Sequence, residues 1–169
     1  MSSPEERSDP IALARANWEN AGWGGDIAVG MEAVTSVMRA HQIMLGRIEH
    51  VLKPFRLTFA RFELLRLLAF SRRGALPISR ASARLQVHVS SVTHAIDRLE
   101  DAGLVERLPH PTDGRTTLVA LTADGRHVVE EATLAVNDVF AEFGSELGST
   151  GGGALVDSLR VLRRANGDF

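Results

Sequence analysis

Residues 77–125, PISRASARLQVHVSSVTHAIDRLEDAGLVERLPHPTDGRTTLVALTADG, set two short helices across a turn and then fold back in a tight hairpin. No other stretch restricts the architecture of this chain so strongly. Ser79 is placed to cap a first helix with Ala81 and Leu85 on its apolar side, and Gln86-Val87-His88 interrupts it. From Ser90 onward, Val92, Ile96 and Leu99 recur at helical spacing, the stripe of an amphipathic helix. Gly103 stands where a left-handed residue would end that helix. Its polar face carries Ser91, Thr93, His94, Asp97, Arg98 and Asp101. Leu104–Leu108 and Thr117–Leu121 read as paired strands, joined by a Pro109–Arg115 segment dense in turn-forming residues. Thr122 is placed to cap the helix that follows.

Helix, turn, helix and two-stranded hairpin in this order is the layout of a winged helix-turn-helix, whose second helix enters the major groove. Double-stranded DNA is therefore the expected partner. The run from Asp97 to Gly125 resembles the MarR family of bacterial transcription regulators. Asp-Arg-Leu-Glu, Gly-Leu-Val, an Asp-x-Arg wing and Leu-Thr-x-x-Gly stand in the family's order and spacing. With its flanking helices the resemblance covers roughly residues 27–165. The sequence departs from the pattern at the wing, where Gly114 precedes the single Arg115 and the family often carries two consecutive arginines. The expected fold is mainly α with a small β-hairpin wing. The resemblance implies a homodimer with one winged head at each lower corner, acting as a DNA-binding transcription regulator.

A formal net charge of −2 is unusual for a protein that neutralises phosphates. Its distribution resolves the conflict. Residues 54–115 hold ten arginines against six acids, a balance of +4, while the remainder holds nine basic residues against fifteen acids. All the basic residues of the head are arginine, whose planar fork suits phosphate and guanine better than a lysine ammonium does. The expected DNA contacts are Ser79, Ser90, Ser91, Thr93, His94 and Arg98 on the two helices, with Asp113 and Arg115 on the wing. Arg98 and Asp113 are expected to pair and brace the wing. Arg115 is placed to enter a narrow minor groove.

Ile27, Met31, Val34, Met38, His41, Leu45, Ile48 and Leu52 alternate at spacings of four and three until Pro54 stops the helix. Val128, Val129, Ala132, Val136, Val139, Phe140 and Phe143 form a second long apolar face, and a third helix is expected beyond a GSTGGG break at 148–153. One small head cannot cover three such faces, whereas two copies packing their terminal helices together could. The organisation expected is a disordered tail over 1–9, an extension helix and hinge over 10–25, a helical dimerisation region from 26–56 and 122–169, and the winged helix-turn-helix over 57–121. Within the last, Thr58 caps a linking helix, and Leu57 and Phe62 stand where a hydrophobic staple would join them.

The resemblance also implies a small-molecule effector, since many family members bind small aromatic or carboxylate anions between body and head. Trp23, His41, Phe62 and Arg66 are the candidate ligand residues, and the effector expected is an anionic or aromatic metabolite. The extension, capped by Asp9 with Pro10 at its first position, resembles that of a urate-responsive branch whose extra helix bears a tryptophan. Urate is thus one candidate effector.

Other chemistries lack a starting point. There is no cysteine, so disulfides, thiolate zinc sites and thiol-based peroxide sensing do not arise. The histidines form no HExxH or paired i,i+4 arrangement, and no P-loop, GxGxxG after a strand or Gly-x-Ser-x-Gly elbow is present. No enzyme activity, cofactor or metal is expected. The polar start MSSPEERSDP lacks a signal-peptide core, and no run reaches membrane-spanning length without charges, which points to the cytoplasm and away from the membrane. The rival expectation is a winged-helix module that binds protein rather than a specific DNA sequence.

Overall fold

The computed structural model describes residues 9–72, 74–113 and 115–169. The expected tail over 1–9 lies outside the described residues except for Asp9, and so do Arg73 of the basic head and Gly114 of the wing turn. The chain orders itself as α1 (Pro10–Asn20), α2 (Asp26–Leu52), a short 3-10 turn (Lys53–Phe55), α3 (Phe59–Ala69), β1 (Ala75–Pro77), α4 (Ile78–Leu85), α5 (Val89–Asp101), β2 (Val105–Pro109), β3 (Thr117–Leu121) and α6 (Ala123–Ala165). It forms two compact units, Met1–Arg47 and Ile48–Phe169.

In the first unit Asp9 accepts the Ile11 amide hydrogen at 2.9 Å and Pro10 occupies the opening turn of α1, as the sequence requires. Arg15 pairs with Glu19 one turn on and with Glu32 of α2, fastening the two helices. Trp18 and Trp23 meet edge to face with ring centroids 5.2 Å apart, within the preferred range for aromatic pairs. On α2, Ile27, Val34 and Met38 remain exposed.

The second unit is built round α3, α5, α6 and the sheet. Thr58 accepts the Arg61 amide hydrogen at 3.4 Å, and Leu57 and Phe62 are both buried in the one core cluster. Leu64, Leu65 and Leu68 of α3, Val92, Ile96 and Leu99 of α5, and Val129, Ala132 and Val136 of α6 meet in that core. The sheet is antiparallel in the order β1-β3-β2, with Val119 paired to Leu76 on one side and Arg107 on the other. The wing is therefore the outer hairpin of three strands rather than an isolated pair.

Strand β1 also moves the start of α4. The helix begins at Ile78 with Pro77 as its cap residue and no side-chain cap bond, so Ser79 lies in the first turn and is not the cap. Pro77 has its φ fixed by its ring, and it closes the strand and opens the helix at once. At the far end the glycine-rich segment bends α6 only at Gly148, where φ is +65° and ψ is 164°. Gly151, Gly152 and Gly153 stay helical, because one residue in a conformation that favours glycine suffices to redirect the chain. Among the described residues no helix is long and apolar enough to cross a membrane.

Candidate nucleic-acid interface

The presentation of α5 is set by the turn before it. Gln86 leaves α4 with a φ of +55°, and the nearly buried Ser82 donates its hydroxyl to the Val87 carbonyl at 2.6 Å. Such a hydroxyl left unpaired would cost about 1–3 kcal/mol, so the bond holds the turn closed. His88 then caps α5, its Nδ1 accepting the Ser90 amide hydrogen at 3.3 Å and lying 2.7 Å from Ser90 Oγ. Val92, Ile96 and Leu99 are buried, and Ser90, Ser91, His94 and Arg98 are left exposed. Thr93 is half-buried, and its hydroxyl donates to the Val89 carbonyl at 2.9 Å. Ser79 is exposed on α4, in a row with the exposed Arg80 and Arg84.

The expected Arg98–Asp113 pair does not form. Among the described residues Arg98 has no ion pair, and Asp113 serves its own turn. It accepts the Arg115 amide hydrogen at 3.0 Å and the Thr116 hydroxyl at 2.7 Å. The Thr116 bond first, and then the Arg115 amide, hold its carboxyl below the ordinary aspartate range. A short Asx turn satisfies the aspartate within its own loop before any long side chain can reach it. The brace between α5 and the wing is made by Arg107 of β2, whose guanidinium binds Asp97 and Glu100 together. Glu100 also accepts the Arg107 amide hydrogen at 3.2 Å. The Asp97 bond first, with both carboxylate charges, holds the Arg107 proton more firmly than usual. Arg107 thus spends its charge inside the head, while Arg115 is exposed at the tip with its guanidinium unpaired among the described residues.

Two further features escaped the sequence reading. Thr58 and Arg61 of α3 border a groove of about 300 Å³ with Ser91, His94 and Arg98 of α5. The cap at Thr58 already carried the signal, because it fixes Arg61 at the third helical position beside the cap hydroxyl. The carbonyl of Leu104 lies so close to Gly125 that a Cβ there would stand 1.9 Å from its oxygen. The Leu-Thr-x-x-Gly pattern is thereby explained. Thr122 donates to the Gly103 carbonyl at 2.8 Å, accepts the Gly125 amide hydrogen at 2.9 Å and starts α6 against the end of α5.

Of the expected ligand residues, Phe62 and Arg66 line an open cleft of about 300 Å³ with Phe59, Phe70, Leu85 and Phe140. Arg66 binds Glu130 at 3.0 Å and lies 4.1 Å above the Phe70 ring, and its buried Nε has no hydrogen-bond partner. Trp23 and His41 belong to the first unit, where Trp23 packs on Trp18 and His41 is exposed on α2.

Comparison with known proteins agrees with this geometry. The MarR family sequence model matches residues 57–117. Sco5413, a MarR family transcriptional regulator from Streptomyces coelicolor, is 46% identical over 83% of this chain and 96% of its own, with a TM-score of 0.73. Sco3205 of the same organism, solved in complex with DNA, shares the fold at 22% identity, covering 79% of this chain and 84% of its own with a TM-score of 0.74. The uncharacterised HTH-type transcriptional regulator Mb0904 of Mycobacterium bovis is 35% identical over 80 residues, 47% of this chain. That match spans 56% of the Mb0904 sequence, little more than half its length.

Proposed function

The chain belongs to the MarR family of transcriptional regulators, and on that premise we propose that it is a homodimeric, ligand-responsive repressor of a pseudopalindromic operator. The observation that carries this reading is a division among the arginines of the head. Arg107 is neutralised by Asp97 and Glu100, whereas Arg98 on α5 and Arg115 on the wing are exposed and take no ion pair among the described residues. Charge left unspent on the outer face of α5 and the wing serves a polyanion, whereas the Arg107 charge buttresses the head. Ser90, Ser91 and His94 face base edges and flanking phosphates from the start of α5, and Arg115 enters the minor groove. Two heads on a dimer would read half-sites about 10 bp apart, one helical turn.

Exposed apolar side chains support the dimer: Ile27, Val34 and Met38 on α2, and Leu134, Phe140 and Leu162 on α6. The effector reading rests on the cleft around Phe62, where Phe59, Phe70 and Phe140 offer apolar faces and Arg66 supplies the positive charge beside Glu63. Effector binding there would favour a conformation whose heads no longer fit the operator spacing. The test is a gel shift with the DNA immediately upstream of the coding region. Salt-sensitive binding to an inverted repeat, at least 10³-fold tighter than to unrelated duplex, is the expected result. Binding without sequence discrimination would favour the protein-binding module instead.

A further inference from the structure

We propose that the groove between the start of α3 and α5 is a clamp for one DNA backbone phosphate, with Arg61 as its principal ligand. This rests on the DNA-binding reading above and adds a contact from a helix outside the helix-turn-helix pair. Thr58, Arg61, Ser91, His94 and Arg98 surround about 300 Å³ of open space, and no carboxylate lines it. Arg61 is half-buried and is held in place from within its own helix, its Nε donating to the Thr58 hydroxyl at 3.2 Å. That bond uses the one guanidinium nitrogen next to the side-chain stem. The two terminal nitrogens have no protein partner among the described residues, and Arg61 makes no ion pair there. Across the groove Arg98, freed by the absence of a bond to Asp113, offers a second fork. Ser91 and His94 add a hydroxyl and a ring nitrogen.

Ala60 and Ala95 also line the groove, and their small side chains leave it open. Two arginines, a hydroxyl and an imidazole lining one acid-free opening suit a tetrahedral anion better than a base edge. Position selects the source of that anion. When a recognition helix lies in the major groove, an element packed along its flank meets the groove rim, where the sugar–phosphate backbone runs. A phosphate held here would fix the depth and tilt of α5 before its side chains read any base.

The clamp predicts a measurable change in counterion release. Each phosphate contact contributes about −0.9 to the slope of log affinity against log salt. Arg61→Gln should therefore make the slope shallower by about 0.9 for each head engaged, about 1.8 for a dimer. The probe is a fluorescein-labelled 30-bp duplex of mixed sequence, titrated by anisotropy with the full chain between 50 and 200 mM KCl. Over that range the advantage of the wild type over Arg61→Gln should shrink about tenfold. Arg61→Lys should restore the slope, because it keeps the charge. Ala60→Glu, an exposed substitution that places a carboxylate in the groove, should flatten the slope as Arg61→Gln does. Arg160→Gln, which removes a charge already paired with Asp157, should leave it unchanged.

A slope unaltered by Arg61→Gln, alongside one reduced by Arg115→Ala, would overturn the clamp and leave the DNA-binding reading intact. Equal flattening by Arg160→Gln would also overturn it, by reducing the effect to net charge. Absence of salt-dependent binding by the wild type would remove the DNA-binding reading itself. Melting curves for each variant separate these outcomes from loss of fold.

Discussion

Gly125 closes the junction between wing and body, because the Leu104 carbonyl occupies the space where any other residue carries its Cβ. The obstruction is backbone, so no rotamer change relieves it. Gly125→Ala should cost about 3 kcal/mol, the upper end of ordinary overpacking. For a chain of this size that lowers the melting temperature by about 6–12 °C. A melt within about 2 °C of wild type would show that the contact yields easily. Glu63 is a milder and pH-dependent case. Its side chain is exposed to solvent on one side and borders a cavity of about 70 Å³ lined by Leu64, Leu85, Val87 and Val92 on the other, and the loss of solvent on that side raises its carboxyl above the ordinary value of 4.5. A carboxyl whose folded pKa is raised weakens the fold when ionised, so its contribution is favourable at low pH and lost as pH rises through the folded value. Because solvent screens the exposed side, Glu63→Gln should melt only slightly higher than wild type at pH 7.5, by no more than about 2 °C, and the difference should vanish below about pH 4.5. Equal differences at both pH values would locate the effect elsewhere than in the charge.

At the scale of elements, the wing divides its work between Arg107, which fixes the hairpin to α5, and Asp113, which shapes the tip that presents Arg115. Asp113 is ionised well below neutral pH, so its tip bonds persist above the ordinary aspartate value of 3.8 and are lost only as pH falls through its lowered value. Arg115→Ala should weaken DNA binding across all sequences and flatten its salt dependence. Asp113→Ala should weaken binding through a loosened tip while leaving the melting temperature within about 2 °C, since an exposed substitution outside the core costs little. The helices, their caps at Asp9, Thr58 and Thr122, and the hairpin were legible in the sequence because each follows from neighbours a few residues apart. Strand β1 was not, since three residues ending in proline show no alternation and are a strand only by pairing with β3, over forty residues later. The brace escaped for a similar reason. Arg98 and Arg107 are equivalent in sequence, and only the hairpin register brings Arg107 to the two acids of α5.

The whole molecule poses a problem of unspent apolar surface. Val34 is 65% exposed on α2, and Leu134 and Val161 are 69% and 71% exposed on α6. Single exposed apolar residues are ordinary, but these recur along the two longest helices, on faces that the core leaves uncovered. Burial in a dimer would stabilise by roughly 25 cal/mol for each Å² of apolar surface removed from water. Folding would then become concentration-dependent, since association draws the folded monomer onward by mass action. Val34→Glu and Leu134→Glu separate the two cases. In a monomer each changes stability by less than about 0.5 kcal/mol, as exposed substitutions do. In a dimer each buries an unpaired carboxylate at the interface, with a penalty large enough to dissociate it. Light scattering after gel filtration at 10 µM should therefore give twice the 18.3 kDa chain mass for the wild type and a single chain mass for the double variant. The double variant should also lose cooperative binding to an inverted repeat while each head keeps its weak, salt-dependent affinity. A wild type that elutes as one chain at that concentration would mean that a different surface covers these helices, and the two-headed reading of a pseudopalindrome would fall with the dimer.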